Sequence, residues 1–131
     1  MVIDASVVFK WFAEEEGSDR AIALIGQQPL DAPEFLVVEV GNALWKRHKR
    51  GEIVVYDAPQ QLAGLGQICS LVTDARLAPR ALEIALQLQH PIYDCLYLAL
   101  AEELNSHVVT ADMKFFARTR SSPFEAIVRQ F

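Results

Sequence analysis

The chain has 131 residues, of which 52% are hydrophobic and 22% charged. That is enough chain for one domain with a buried core, and the composition excludes a disordered or low-complexity protein. No apolar run nears the roughly 20 residues needed to cross a bilayer, and Asp4 interrupts an opening that lacks the basic start of a secretory leader, so a cytoplasmic protein without a membrane partner is expected.

The apolar patterning predicts short strands alternating with helices. Residues 1–4 read as a short buried strand. A helix follows from Ser6 to about Glu15, with Val7, Val8, Trp11 and Phe12 at helical spacing, and Gly17 breaks it. Ser18 is positioned to cap a second helix reaching about Gly26. Leu30-Asp31-Ala32-Pro33 reads as a second strand running into a helix that Gly51 stops near Arg50. Asp57 and Pro59 open a helix through about Cys69, and Ser70 to Thr73 is a short strand. Pro79 opens the next helix, which ends near His90 and Pro91. Tyr93 and Asp94 open a strongly apolar helix ending near Asn105. His107 to Thr110 is the clearest strand, a short helix spans Met113 to Arg118, and Ala126-Ile127-Val128 reads as an edge strand. The pattern is that of an α/β domain: a short, mostly parallel central sheet of roughly four to five strands flanked by helices. Cys69 and Cys95 lie in apolar helical contexts and read as buried thiols of a reducing compartment, spaced wrongly for a zinc cluster.

Four acids stand in positions that otherwise favour Val, Ile or Ala. Asp4 ends the apolar opening, Glu39 interrupts Phe35-Leu36-Val37-Val38 before Val40, Asp94 begins Cys95-Leu96-Tyr97-Leu98, and Asp112 closes Val108-Val109-Thr110-Ala111. Burying an ionised carboxylate costs several kcal/mol unless something compensates it. Asp4, Asp94 and Asp112 also suit helix capping or the first turn of a helix, and Glu39 also suits an exposed position sharing a face with Asn42 and Lys46. A divalent cation shared by all four is the economical alternative, since carboxylate oxygens are the ligands that Mg²⁺ and Mn²⁺ prefer. Ligands in open α/β sheets bind beyond the C-terminal ends of the strands, where Asp4 and Asp112 fall. Ser6 and Thr110 are placed to orient the acids' oxygens. Setting the four aside, the remaining acids nearly balance the 12 basic residues, so the net charge of −5 excludes a broad polyanion-coating protein and not an RNA partner.

The segments V-I-D-A-S-V-V-F-K-W-F, A-P-E-F-L-V-V-E-V-G-N-A-L, H-P-I-Y-D-C-L-Y-L-A-L-A-E and V-V-T-A-D occur in an order and spacing that resembles PIN-domain ribonucleases, specifically the VapC toxins of bacterial toxin–antitoxin modules. The resemblance spans essentially the whole chain, a single PIN-like domain over residues 1–131. It implies RNA cleavage dependent on Mg²⁺ or Mn²⁺, with Asp4, Glu39, Asp94 and Asp112 as catalytic, metal-holding acids and Ser6 and Thr110 as their polar helpers. It also implies a homodimer, inhibition by a cognate antitoxin, and assembly with it into a hetero-oligomer. Some PIN nucleases carry another acid after the last one; here Met113-Lys114-Phe115-Phe116 stands there.

Metal-assisted phosphodiester hydrolysis fits the residues independently, because no Ser/His/Asp triad, P-loop or dinucleotide motif offers another route. Among cations, Lys10, Lys46, Lys49, Arg50 and Lys114 are candidates for RNA phosphates, although Lys46 to Arg50 also complements the end of its helix. Trp11 and Trp45 sit at core or interface spacing. His48, His90 and His107 read as structural or exposed. Val8, Trp11, Phe12 and Ile25 offer more apolar surface than one core face absorbs, which suggests a groove for an antitoxin segment. Two alternatives remain: a PIN nuclease of housekeeping RNA processing, and a catalytically silent PIN-fold binding module.

Overall fold

The computed structural model describes residues 1–54 and 56–131. Five strands among them form one fully parallel sheet, β1 (Val2–Ile3), β2 (Leu30–Pro33), β3 (Cys69–Val72), β4 (Val108–Thr110) and β5 (Val128–Gln130), in the order β3-β2-β1-β4-β5. β1 pairs β2 on one side and β4 on the other. The chain order reverses there, so a crevice opens between the segments leaving β1 and β4. Those segments carry Asp4 and Asp112.

The strands are short and apolar because both faces of the sheet are covered. Val2, Ile3 and Val108 are fully buried. The central covering helix is α7 (Ile92–Glu103), in which every residue from Cys95 to Ala101 is buried. A helix apolar on all sides must be enclosed. The neighbouring α6 (Asp74–Leu88) presents Leu77, Ala81, Ile84, Ala85 and Leu88 inward. Arg80 binds both carboxylate oxygens of Glu102 from its exposed side, at 2.7 and 3.0 Å.

The remaining helices are α1 (Ala5–Val8), continued by a 3₁₀ turn (Phe9–Trp11), α2 (Ser18–Ala23), α3 (Phe35–Lys49), α4 (Ala58–Ala63), α5 (Leu65–Ile68) and α8 (Met113–Thr119), with a second 3₁₀ turn at Glu125–Ile127. Asp74 Oδ1 accepts the Phe35 N–H at 3.0 Å and so satisfies the start of α3. Gly41 lets α4 approach α3: a Cβ there would meet Leu62 Cδ2 at 3.2 Å.

Several boundaries differ from the sequence expectation. The first helix ends at Trp11, because Ser18 accepts the Glu15 N–H and donates to Ala13 O, which turns the chain before Glu15. Gly17, at φ 85°, holds the N-cap position assigned to Ser18. α6 begins at Asp74 and runs through Pro79, which lies on its exposed side. The helix expected from Asp57 to Cys69 breaks at Gly64, and Cys69 opens β3. The last strand starts at Val128, after the 3₁₀ turn that takes up Ala126 and Ile127. Both cysteines are buried and unpaired as expected, and burial pushes the Cys69 thiol to about 11 and the Cys95 thiol to about 12. Among the described residues, no helix is long and apolar enough to cross a membrane.

A candidate carboxylate centre

Two strand ends and two helices deliver the four acids. Asp4 leaves β1 and caps α1: its Oδ1 accepts the Ser6 N–H at 3.0 Å, the Val7 N–H at 3.3 Å and the Ser6 hydroxyl at 2.6 Å. Asp112 follows β4 and caps α8, with Oδ1 accepting the Lys114 and Phe115 N–H groups at 2.8 and 3.1 Å. Each cap engages a single oxygen. The capping role and a role in a shared site therefore coexist in the same side chain. Glu39 projects from the second turn of α3 and Asp94 from the first turn of α7.

The charges of the four acids bear on one another. The Glu39 carboxyl is pushed up to about 7, by burial first and then by the charges of Asp94, Asp4 and Asp112, while the Tyr97 hydroxyl pulls it down. Asp4 rises to about 6, again by burial foremost, with Asp94 adding to it and the Ser6 and Thr110 hydroxyls opposing it. Glu39 thus feels all three other acids.

Burial is less uniform than the sequence implied. Asp4 is 6% exposed, Glu39 and Asp94 are half-buried, and Asp112 is exposed. The apolar residues around Asp112 belong to β4, which ends before it, so its own position is a solvent-facing cap.

Ser6 and Thr110 join the two strand ends. The Ser6 hydroxyl donates to Asp4 and accepts the Ala111 N–H at 2.7 Å. Thr110 Oγ1 accepts the Asp112 N–H at 3.0 Å and approaches Ser6 Oγ at 3.4 Å. The Ser6 proton goes to Asp4, and the Thr110 hydroxyl, beside Ser6 Oγ, also supports the Asp4 carboxylate.

Two residues of this centre escaped the sequence reading. Tyr97 is 1% exposed and donates to Glu39 Oε2 at 2.7 Å. Its signal was available: it is the one hydroxyl in the apolar run following Asp94. His90, read as structural or exposed, brings Nε2 to 2.5 Å from Asp94 Oδ2 and stacks on Phe115 with ring centroids 5.8 Å apart. The i,i+4 spacing to Asp94 was visible, but Pro91 separates His90 from α7, so no helical face linked them.

The donor set suits a hard cation: carboxylates, each with one oxygen engaged by protein donors, and no Lys or Arg ion-paired to them among the described residues. Among those residues, no three His, Cys, Asp or Glu side chains are drawn together as a ready-made metal cage. The hydrogen bonds to Tyr97 and His90 hold Glu39 and Asp94 individually, and like charges have no reason to close further without a cation between them.

Of the candidate phosphate-binding cations, Lys10, Lys46 and Arg50 line a cavity of about 400 Å³ that also borders Ser6 and Glu39. The Lys49 ammonium sits over the Trp45 ring, 5.3 Å from its centroid, and Lys114 stands exposed on α8. Trp45 is 56% exposed rather than core, and Trp11 is half-buried, its indole N–H donating to Ala21 O at 2.9 Å. Val8 is fully buried, which removes it from the expected apolar groove.

The PIN domain family model matches residues 1–121. The chain belongs to the PIN domain family. This PIN chain is 30% identical over 132 residues to Ribonuclease VapC3 of Pyrobaculum aerophilum, covering 98% of the chain and 97% of that relative. It is 33% identical over 121 residues to Ribonuclease VapC1 of Mycobacterium tuberculosis, covering 88% of each. A crystal structure of a Pyrobaculum aerophilum protein superposes with a TM-score of 0.68 at 26% identity, over 92% of this PIN domain and 80% of that chain. A chain of a toxin–antitoxin complex from Klebsiella pneumoniae superposes with a TM-score of 0.66, over 98% and 94% of the two chains; at 12% identity it speaks for the fold alone. The parallel α/β architecture expected from the sequence is the one these relatives share.

Proposed function

We propose that this PIN domain is a metal-dependent endoribonuclease, the toxin of a toxin–antitoxin pair. The observation that carries the reading is the placement of Asp4 and Asp112 at the two strand ends of the switch point of a parallel sheet, with Asp94 and Glu39 near enough that their charges bear on one another. The VapC relatives point to RNA as the substrate and to an antitoxin as the partner.

In this reading Asp4, Asp94 and Asp112 hold Mg²⁺ or Mn²⁺, with Glu39 beside them. The bound ion would make an attacking water more acidic and stabilise charge building on the phosphate. Without a cation Glu39 is pushed up to about 7; a cation offsetting the neighbouring charges would leave it ionised and free to accept a proton in the crevice. Tyr97 fixes which Glu39 oxygen faces the crevice, and His90 fixes Asp94. Ser6 keeps the Asp4 side chain against its helix and locks the distance between the β1 and β4 ends. The chain acts as a homodimer, and the antitoxin suppresses cleavage in a hetero-oligomer with it.

The test is cleavage of single-stranded RNA by the purified chain in Mn²⁺, in Mg²⁺ and in EDTA. Activity should vanish in EDTA and in Asp94→Asn. Full cleavage in EDTA, or an unimpaired Asp94→Asn, would overturn the metal mechanism. Co-expression with the product of an adjacent small reading frame tests the antitoxin role.

A further inference from the structure

Beside the acids lies a cationic groove that the carboxylate mechanism does not use. Its floor is one stripe of α3: Glu39, Ala43, Lys46 and Arg50 all line it. Their spacing of four, seven and eleven residues keeps them within a narrow sector of the helix, with Lys46 and Arg50 roughly 10 and 16 Å along the axis from Glu39. Ala43 leaves room between the acid and the cations. Phe9 and Lys10 stand in the facing wall. The cavity, about 400 Å³, falls in the size range of small-ligand sites and opens directly onto Ser6 and Glu39.

The cations divide into two kinds. Lys10 Nζ lies 2.9 Å from Glu15 Oε1, and Arg47 Nη2 lies 2.6 Å from Glu15 Oε2. Glu15 thus receives one cation on each oxygen, half-buried between the end of the first helical segment and α3. The more exposed Glu52 takes Arg50 Nε at 2.6 Å and Arg47 Nε at 3.0 Å, and among the described residues Lys46 has no ion pair. Lys10, Lys46, Arg47 and Arg50 therefore face two carboxylates, and the groove keeps a positive excess next to the acidic centre. An anionic strand lying with one phosphate at the acids finds its neighbouring charges answered along this stripe.

We propose that this groove is the subsite for the phosphates flanking the cleaved bond of a single-stranded RNA, and that Glu15 is a built-in competitor holding the phosphate position between Lys10 and Arg47. This rests on the ribonuclease reading above and names the residues that seat its substrate. Lys46 supplies the attraction that is ready at once, and Arg50 adds to it by turning from Glu52 to the strand. Displacing Glu15, a bidentate anion of about the right reach to stand in for a phosphate, frees Lys10 and the Arg47 Nη2 for the strand, while Arg47 Nε stays on Glu52. Glu15 thereby sets the affinity of the groove below its capacity.

The experiment measures binding of a short fluorescein-labelled single-stranded RNA in EDTA by anisotropy over a series of salt concentrations, with cleavage in Mn²⁺ recorded separately. Lys46→Ala with Arg50→Ala should weaken binding by about tenfold or more at low salt and flatten the log–log salt slope by about 0.7 per cation removed. Both residues are exposed, so the fold should survive, and the melting temperature checks it. Glu15→Gln keeps one acceptor oxygen for Lys10 or Arg47 while removing the competing charge, and should bind RNA several-fold tighter. A double Ala variant with wild-type affinity and slope overturns the subsite. A folded Glu15→Gln protein that binds no tighter overturns the competitor role. Wild-type protein that binds RNA through this stripe but cleaves none in Mn²⁺ would instead count against the nuclease reading alone, and wild-type protein that binds no RNA overturns the subsite.

Discussion

Tyr97 and Glu39, 58 positions apart in sequence, share a hydrogen bond of 2.7 Å at the edge of the carboxylate centre. The phenol is buried, and its hydroxyl donates to the acid. Burial and the charge of Glu39 push the tyrosine far above its usual acidity range, so it is a permanent donor here. Tyr97→Phe should leave a folded protein, about 1–2 kcal/mol less stable. Its larger effect should be on Mn²⁺ affinity, weaker by about tenfold or more because one acid is no longer oriented. Calorimetric Mn²⁺ titration beside a melting curve separates the two; unchanged affinity would show that Glu39 needs no such holder.

The raised carboxyls make a prediction about pH. Asp4 goes from 3.8 to about 6 on folding, and Glu39 from 4.5 to about 7. Both bind a proton more tightly in the folded chain. Their contribution is fully present below the unfolded values and is lost as pH rises through about 6 and about 7. For the buried Asp4 alone the difference is about 3 kcal/mol. In EDTA the melting temperature should therefore fall between pH 4.5 and 7.5, roughly the span of the two titrations. Saturating Mn²⁺ should reverse that trend, since a cation binds the deprotonated acids. A flat profile in EDTA would mean that the acids stay solvated.

Ser6 offers a test of the link between β1 and β4. Its oxygen is the acceptor for Ala111 N–H and its proton goes to Asp4. Ser6→Ala leaves a backbone donor without that partner and should cost about 1–3 kcal/mol. Ser6→Thr keeps the hydroxyl and should recover most of the loss in chemical denaturation. Equal loss in both would assign the effect to packing.

The sheet and the acids were legible in the sequence for the same reason. A short apolar strand that ends in an acid and a helix marks both an element and a strand end, and Asp4 and Asp112 are such residues. What stayed hidden depends on partners distant in sequence. Tyr97 reads as core until Glu39 is placed against it, and His90 reads as a loop residue until α7 turns Asp94 toward it. Glu15 is one of three consecutive acids, and only the turn made by Ser18 points it at Lys10 and Arg47. Pro79 misled because a proline on the exposed side of a helix looks like one at its start; the true start, Asp74, is explained by its bond to Phe35 on another helix.

Asp4 finally allows capping and metal holding to be told apart. Its Oδ1 accepts three hydrogen bonds from Ser6 and Val7, and an asparagine Oδ1 presents an acceptor to the same donors. Asp4→Asn therefore keeps the cap while removing a charge that burial and Asp94 penalise. In EDTA at neutral pH it should be at least as stable as the wild type. Asp4→Ala loses the cap and should be less stable by about 1–2 kcal/mol. Saturating Mn²⁺ should raise the wild-type melting temperature, with about 2.7 kcal/mol of stabilisation at a hundredfold excess over the dissociation constant. Both variants should lose that rise. An asparagine variant that melts lower than wild type in EDTA and still responds fully to Mn²⁺ would make Asp4 a cap alone and move the cation to Glu39, Asp94 and Asp112.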